Sequence, residues 1–219
     1  MRQSPDRGAS ELISVPSTVT HARSLMPRRL TIVQGHPDPH GKRLCHALAD
    51  AYAEGAAAAG HEITRIEVAQ LDFPILRTQE EFERGDLPEM LVGARDGIVS
   101  AQHLVAIFPL WHGTMPALLK AFLEQVMRPG VALEYRKHGF PRGLLAGRSA
   151  RIVVTMGMPA LIYRWYFRAH GVRGLELSVL RFAGMKPVRE TLLGMVDAVS
   201  DAKRRAWLER MRTYGRQLI

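Results

Sequence analysis

Residues 103–108, His-Leu-Val-Ala-Ile-Phe, run directly into residues 109–120, Pro-Leu-Trp-His-Gly-Thr-Met-Pro-Ala-Leu-Leu-Lys. The first run is apolar and has the length typical of a buried strand. Pro116 suits the first turn of a helix, because the N–H group that proline lacks would have no partner there. The stretch therefore predicts a buried strand, a short loop and a helix that begins at Pro116.

The loop between this strand and this helix carries Trp111, His112 and Gly113. In open α/β sheets, ligands bind at the carboxyl ends of the strands, which is where this loop lies. A glycine lets a flat ligand approach the backbone, and an indole packs on the edge or face of such a ligand. The loop favours a planar heteroaromatic cofactor. The alternative is an ordinary connection whose tryptophan is structural.

Strand and helix patterns alternate along the chain without internal repeats. Apolar runs predict strands at residues 30–34, 63–68, 103–108, 151–155 and 188–193. Helical spacing predicts helices at residues 44–59, 90–101, 116–127 and 201–218, with a charged, irregular stretch at 77–88. Short apolar strands separated by helices imply a parallel sheet covered on both faces. The predicted fold class is α/β, a doubly wound five-stranded parallel sheet of order 2-1-3-4-5.

The composition is that of an ordinary globular protein, with 47% hydrophobic and 23% charged residues among 219. We expect one folded domain over residues 29–219, preceded by a disordered extension over residues 1–28. No apolar run approaches the length of a membrane span. The single cysteine, Cys45, excludes an internal disulfide and a cysteine-based metal cluster. It fits a reducing, cytoplasmic location, and no metal site is predicted.

The formal net charge is +9, with a basic cluster between Lys203 and Arg216. A basic surface attracts nucleic acid, anionic lipid or phosphorylated small molecules. The sequence holds no recognition-helix pattern, zinc ligands or aromatic RNA-binding signature. We therefore expect no nucleic-acid partner, and we interpret the cluster as a solvated helix face.

A second loop at the predicted crevice, residues 35–43, reads Gly-His-Pro-Asp-Pro-His-Gly-Lys-Arg and precedes a helix. The N-terminus of a helix suits a phosphate, and His36, Lys42 and Arg43 are compatible with that role. The loop matches neither the Walker pattern nor the dinucleotide-binding Gly-x-Gly-x-x-Gly pattern. On its own it is a weak phosphate signal.

The third loop, residues 155–159, reads Thr-Met-Gly-Met-Pro and lies a few residues before Tyr163. Gly157 permits close approach of the backbone to a ligand, and Tyr163 offers a hydroxyl on an apolar ring. The aromatic run Trp165–Phe167 follows, between Arg164 and Arg168. We interpret this run as packing or interface residues, with contact to a membrane surface as the alternative.

The three loops together carry the motifs Gly35-His36-Pro37, Pro109-Leu110-Trp111, Met115-Pro116-Ala117-x-x-Lys120 and Thr155-x-Gly157. From Arg29 to the C-terminus, the chain resembles the flavodoxin-like NAD(P)H:quinone oxidoreductases. These include the modulator-of-drug-activity type and the ancillary subunits of glutathione-gated potassium efflux systems. Two segments depart from the family pattern: Gly41-Lys-Arg-Leu-Cys45 replaces a Ser-x-x-Asn-like pattern, and the third loop keeps one glycine between two methionines.

The resemblance implies a flavodoxin-like fold with a flavin bound across the crevice. The flavin phosphate is then held by His36, Lys42, Arg43 and Leu44. The isoalloxazine lies along Pro109, Leu110, Trp111, His112 and Gly113, and its pyrimidine end meets Thr155, Met156 and Gly157. The implied catalytic residues are Tyr163 and His170, the latter one position off the family's spacing.

The activity that the resemblance implies is two-electron (hydride) reduction of quinones or similar electrophiles by NADPH or NADH. FMN is slightly favoured over FAD, and a homodimer is expected. One alternative is a flavin-binding regulatory subunit of a membrane ion-efflux system with little catalytic role, which the basic C-terminal face motivates. Another is a flavodoxin-like fold that has lost its flavin and binds a different phosphorylated ligand.

Overall fold

The computed structural model describes residues 26–136 and 138–219. Its strands are β1 Arg29–Gln34, β2 Glu62–Glu67, β3 His103–Pro109, β4 Ser149–Thr155 and β5 Val188–Leu193. They form one parallel sheet in the order β2-β1-β3-β4-β5. The predicted α/β class and strand order are thereby confirmed. Of the predicted extension, residues 1–25 lie outside the described residues.

The helices that flank this sheet are α1 Leu44–Ala58, α2 Gln79–Arg84, α3 Glu89–Ser100, α4 Ala117–Val126, α5 Ala160–Trp165, α6 His170–Gly174 and α7 Asp201–Gln217. A 3₁₀ turn, Val68–Gln70, follows β2, and a π-helical segment, Leu175–Arg181, continues from α6. An antiparallel ribbon joins Leu133–Glu134 to Arg142–Gly143. None of the helices in the two described ranges is long and apolar enough to cross a membrane.

Both faces of the sheet bury apolar side chains, because successive residues of a strand point to opposite faces. Val105 and Ile107 of β3 pack in a core with residues of α1 and α7. Ala106 and Phe108 of the same strand pack in the second core with residues of α3 and α4. The near-continuous apolar sequence of β3 is the pattern expected for a parallel strand covered on both sides.

The prediction of an irregular stretch over residues 77–88 is wrong at its centre, where α2 forms. The Thr78 hydroxyl accepts a hydrogen bond from the Glu81 backbone N–H at 3.1 Å. The Glu81 carboxylate in turn accepts one from the Arg77 backbone N–H at 2.7 Å. Thr-x-x-Glu is a capping pattern that marks the start of a helix, and it is readable from the sequence.

A buried polar network lies at the amino end of the sheet, opposite the three predicted loops. His103 of β3 is buried, with Nε2 2.9 Å from the Tyr52 hydroxyl and Nδ1 2.7 Å from the Ser149 hydroxyl. Burial, followed by the charges of Arg28 and Arg151, lowers the pKa of His103 to about 3. In the folded protein this imidazole is therefore neutral at neutral pH.

Acidification is expected to destabilise the protein through His103. The pKa of His103 is lower in the folded state than in the unfolded chain, so between about pH 6.5 and 3 the unfolded chain binds the extra proton. The free energy of unfolding then falls by up to about 1.4 kcal/mol for each pH unit of acidification in this window, and above pH 6.5 the effect vanishes.

Urea unfolding at a series of pH values measures how steeply the free energy of unfolding depends on pH. His103→Gln should flatten this dependence, whereas His138→Gln, at an exposed position, should not. An unchanged slope in His103→Gln would contradict the assignment.

Candidate active site

The three predicted loops meet at the carboxyl edge of the sheet, because β1, β3 and β4 are neighbours there. Gly35 begins the loop after β1, and its N–H donates to the Ile107 carbonyl at 2.8 Å. A Cβ at Gly35 would lie 2.5 Å from Leu119 Cδ2 of α4. Glycine at this position lets the first loop cross directly over the start of α4.

The loop after β1 is fixed by its own side chains. The His36 backbone N–H donates to Gln34 Oε1 at 2.8 Å, and His36 Nδ1 accepts from the Asp38 backbone N–H at 3.0 Å. Burial and the neighbouring His46 lower the pKa of His36. A neutral ring whose Nδ1 is an acceptor carries its proton on Nε2, so His36 offers a donor from that atom.

Asp38 organises the end of the same loop. Its carboxylate accepts hydrogen bonds from the His40 backbone N–H at 3.0 Å and from Arg43 Nε–H at 2.7 Å. These bonds hold the pKa of the Asp38 carboxyl well below its usual range. The two terminal nitrogens of Arg43 have no hydrogen-bond partner among the described residues. Asp38 thus fixes the guanidinium at the loop while leaving its outer donors free.

Helix α1 begins directly after this loop without a side-chain cap, since Arg43 at the N-cap position is extended and caps nothing. A helix start carries unpaired N–H groups and a partial positive charge. Two further polar atoms, Gln34 Nε2 and His46 Nδ1, are buried without a hydrogen-bond partner in the part of the chain that the structure describes. The His36 and His46 rings lie 5.4 Å apart. These polar groups without hydrogen-bond partners fit an anionic, hydrogen-bonding ligand such as a flavin phosphate and its sugar chain.

The loop after β3 is a tight hairpin turn. Trp111 and Thr114 exchange both backbone hydrogen bonds at 2.9 Å, and the two residues between them have positive φ, 46° at His112 and 79° at Gly113. Positive φ at both central positions defines a type I′ turn. Trp111 is half exposed and meets the edge of the His36 ring at 6.3 Å between centroids. The turn therefore places its indole beside the first loop.

Tyr163 of α5 is hydrogen-bonded to this turn. Its side chain is 1% exposed, and its hydroxyl donates to the Gly113 carbonyl at 2.9 Å while accepting from the Val172 backbone N–H at 3.3 Å. Burial raises the pKa of Tyr163, so the phenol stays protonated. The hydroxyl thereby connects the turn to α6.

Two cavities flank the turn. The smaller one, of about 500 Å³, is lined by His36, Pro37, Asp38, Arg43 and Trp111. The larger one, of about 1020 Å³, is lined by residues of the turn, of α5 and α6 and of the π-helical segment: His112, Gly113, Thr114, Met115, Lys120, Met158, Tyr163, Phe167, His170, Gly171, Gly174, Leu175, Ser178 and Val179. Its volume is that of a site for a cofactor and a small substrate.

The structure brings together seven of the fourteen predicted site residues in these two cavities, among them Tyr163 and His170, which both line the larger one. The other predicted residues lie outside both: Lys42, Leu44, Pro109, Leu110, Thr155, Met156 and Gly157. The Met156 N–H is already bonded to the Leu193 carbonyl at 2.9 Å. The Thr155 hydroxyl lies 3.2 Å from the Cys45 thiol. Of the third loop's predicted residues, Gly157 alone is exposed. Their role at a flavin stays a prediction.

Sequence reasoning missed the wall of the larger cavity formed by Gly171, Gly174, Leu175, Ser178 and Val179. Arg168 and Ala169 adopt left-handed backbone conformations, with φ of 53° and 50°, and so separate α5 from α6. Such angles are uncommon for residues other than glycine, so the residue types at these positions do not predict them. The close spacing of Gly171 and Gly174 on one short helix was the available signal.

The chain matches the profile of the family described as a flavodoxin-like fold over residues 28–216. It belongs to this family. The fold class predicted from the alternation of strands and helices is confirmed by this match as well as by the sheet order, and so is the resemblance to a flavodoxin-like family.

Known proteins similar to this chain include oxidoreductases. An uncharacterised NAD(P)H oxidoreductase of Haemophilus influenzae is 23% identical over 182 residues, which are 81% of this chain and 89% of that protein. An FMN-dependent NADH:quinone oxidoreductase of Bordetella avium is 30% identical over 82 residues, 36% of this chain and 40% of that protein. The chain thus matches less than half the length of that second relative.

Solved structures extend the similarity over nearly the whole chain. An NAD(P)H:quinone oxidoreductase from Methanothermobacter marburgensis has a TM-score of 0.73 and 28% identity, covering 88% of this chain and 97% of that one. A protein from Streptococcus mutans has the same TM-score at 26% identity and covers 86% and 98% of the two chains. The similarity therefore spans most of the chain and almost the whole of both solved structures.

Proposed function

We propose that this protein is a flavin-dependent NAD(P)H oxidoreductase that reduces quinones or similar electrophiles by two electrons. The observation that carries the proposal is the larger cavity, which opens at the carboxyl edge of the sheet directly beside a loop suited to a phosphate. The quinone reductases named among its relatives and structural neighbours support the reaction class.

The residues present fit a flavin, and FMN is the form we propose. The uncapped start of α1, the free guanidinium nitrogens of Arg43 and the Nε2 donor of His36 suit its phosphate. Lys42 and Leu44 flank that position in the sequence. Gln34 Nε2 is a buried donor without a partner, which a polar group of the cofactor would satisfy. The FMN-dependent relatives support FMN over FAD.

When bound, the flavin supplies the electron transfer itself, taking a hydride from the nicotinamide and passing two electrons to the acceptor. The chain's own residues hold and shield the place of reaction. Trp111, His112 and Gly113 line the two cavities and would hold the ring there, while Pro109, Leu110 and Thr155–Gly157, which line neither cavity, remain proposed contacts of the ring and of its pyrimidine end. The apolar side chains of Met115, Met158 and Leu175 exclude water from the larger cavity.

Tyr163 acts in this proposal as a positioning residue, since its hydroxyl is fully engaged by the protein. Tyr163→Phe leaves the Gly113 carbonyl and the Val172 N–H without their partner, so the turn at residues 111–114 loosens on the side of the cavity. We expect flavin to remain bound while its anaerobic reduction by NADPH or NADH slows by about tenfold. Tyr166→Phe, whose ring is 79% exposed, is the matched control. Wild-type reductive kinetics in Tyr163→Phe would remove this role.

His170 is exposed at the start of α6 and lines the larger cavity. It is one of two exposed histidines in that wall, the other being His112. We propose that His170 contacts the substrate and supplies a proton as the quinone is reduced.

The absorbance spectrum of the purified protein tests the function directly, from about 300 to 550 nm, where oxidised flavin shows two bands. Bands that appear with or without added FMN, and that bleach anaerobically with NADPH or NADH, support the proposal. Bands that do not bleach would point to a regulatory flavoprotein. A protein that takes up no flavin would refute the function and leave the fold intact.

We further propose a cytoplasmic homodimer. Trp165 and Tyr166 are 74% and 79% exposed on α5 and the residue after it, and a second copy would cover the faces that this chain leaves open to solvent. Cys45 is buried and free, as suits a reducing compartment. Sedimentation of the purified protein measures the mass of the assembly, and a monomer at micromolar concentration would contradict the dimer.

A further inference from the structure

A second apolar cavity adjoins the larger one. It has a volume of about 490 Å³, and most of its wall is apolar: Leu76, Phe82, Leu123, Met127, Leu133 and Phe182. Lys120, Ser178 and Val179 line both cavities. A ligand that fills the larger cavity can therefore extend past these three residues into the second, which we call the annex.

One wall of the annex is held in place by buried polar side chains of α4 and its C-terminal end. Gln125 is buried and donates from Nε2 to the Pro74 carbonyl at 2.6 Å. Arg128 is also buried, and it donates to the Gly85 carbonyl at 2.6 Å as well as to Gln125 Oε1. These bonds fix both ends of the segment 74–85, which carries Leu76 and Phe82. Hydrogen bonds from buried side chains therefore hold this wall against the rest of the fold.

The opposite wall comes from the π-helical segment and the residue after it. Ser178 and Val179 lie in that segment, and Phe182 follows it with its ring 41% exposed. π-Helical turns are rare and occur mostly at functional sites. Here the segment supplies two of the three residues common to both cavities, Ser178 and Val179, so it forms one side of the junction between them.

Lys120 marks the same junction from α4. Its ammonium forms an ion pair with Glu124, one turn further along the helix. Both charged groups are about half exposed, so the head groups face solvent while the carbon stem of Lys120 covers the apolar wall. Val179 supplies the apolar part of the passage between the cavities, beside Lys120 and Ser178.

We propose that the annex binds an apolar side chain of the electron acceptor whose ring occupies the larger cavity. This inference rests on the proposed quinone reduction. It assigns the substrate class as quinones that carry an alkyl or isoprenoid tail. The driving force is removal of the tail from water into a cavity that is continuous with the site and lined by aliphatic and aromatic side chains.

The test compares two benzoquinones with the same ring, one without a tail and one with a decyl tail, in the flavin-loaded protein. We expect the tailed quinone to have a kcat/KM at least about tenfold higher, or about 1.4 kcal/mol. Phe182→Glu should abolish this preference by placing a charge in the annex, while kcat/KM for the tailless quinone stays within about twofold. Phe82→Ser, on the opposite wall, should act in the same direction. Met90→Glu adds the same charge at an exposed position outside both cavities and should keep the preference.

The outcomes separate the two proposals. If the wild-type protein reduces the tailless quinone but shows no preference for the tail, the annex proposal is wrong and the proposed function stands. A preference that persists in both Phe182→Glu and Phe82→Ser likewise overturns the annex, because the tail then binds elsewhere or the annex is covered by a second copy. If neither quinone is reduced, the function and the annex proposal fall together.

Discussion

Gly55→Val is expected to lower the free energy of unfolding by about 3 kcal/mol or more, the upper end of what overpacking costs. Gly55 lies on α1 where it crosses α7, and a Cβ there would lie 2.0 Å from the Arg212 carbonyl oxygen. The contact is mutual, since a Cβ at Gly215 would lie 2.0 Å from the Tyr52 carbonyl oxygen. Both obstacles are backbone atoms, which cannot rotate away as a side chain can. The two helices would have to separate.

Urea unfolding followed by circular dichroism measures the effect, with Gly93→Val as the matched control. Gly93 is also in a helix, α3, but it is exposed and a Cβ there would meet nothing within 4 Å. The control variant should unfold within about 0.5 kcal/mol of the wild type. Equal unfolding midpoints for Gly55→Val and Gly93→Val would show that α1 and α7 are not closely packed in solution.

The architecture was predictable because its signals are local. The apolar run at residues 103–108 and the proline at 116 mark a strand and a helix start without reference to the rest of the chain. The strand at 188–193 has the predicted bounds. By contrast, the close approaches of Gly55 to Arg212 and of Gly215 to Tyr52 join residues far apart in sequence. The sequence around a glycine inside a helix does not indicate which neighbouring backbone lies too close to allow a side chain there.

The site was predictable in its location but not in its connections. Strand ends in a parallel sheet place the three loops together, so His36, Trp111 and Gly113 could be grouped from sequence. The hydrogen bond from Tyr163 to the Gly113 carbonyl depends on the bend of the chain between α5 and α6. That bend uses left-handed Arg168 and Ala169, which no residue preference indicates. The orphaned amide of Gln34 likewise becomes visible only once its burial is known.

Gly171→Ala is expected to reduce kcat/KM for NADPH- or NADH-driven reduction of a tailless quinone by about 100-fold, the cost of misplacing a reacting group by about 1 Å. A Cβ at Gly171 would lie 2.3 Å from the Gly113 carbonyl oxygen and 2.5 Å from Thr114 Cα. These atoms belong to the type I′ turn that separates the two cavities. The turn must therefore move, and it cannot move far without breaking the bond between Tyr163 and Gly113.

Gly174→Ala provides the control for this substitution, because Gly174 lies on the same helix and lines the same cavity, yet a Cβ there would meet nothing within 4 Å. It should keep kcat/KM within about threefold of the wild type, since an added methyl group meets open space. Urea midpoints measured beside the kinetics separate a displaced turn from a lost fold. A Gly171→Ala variant that is folded, binds FMN and retains wild-type kcat/KM would show that the turn at residues 111–114 does not position the reaction. A folded variant with a selective loss, beside an active Gly174→Ala, would place the reaction against that turn.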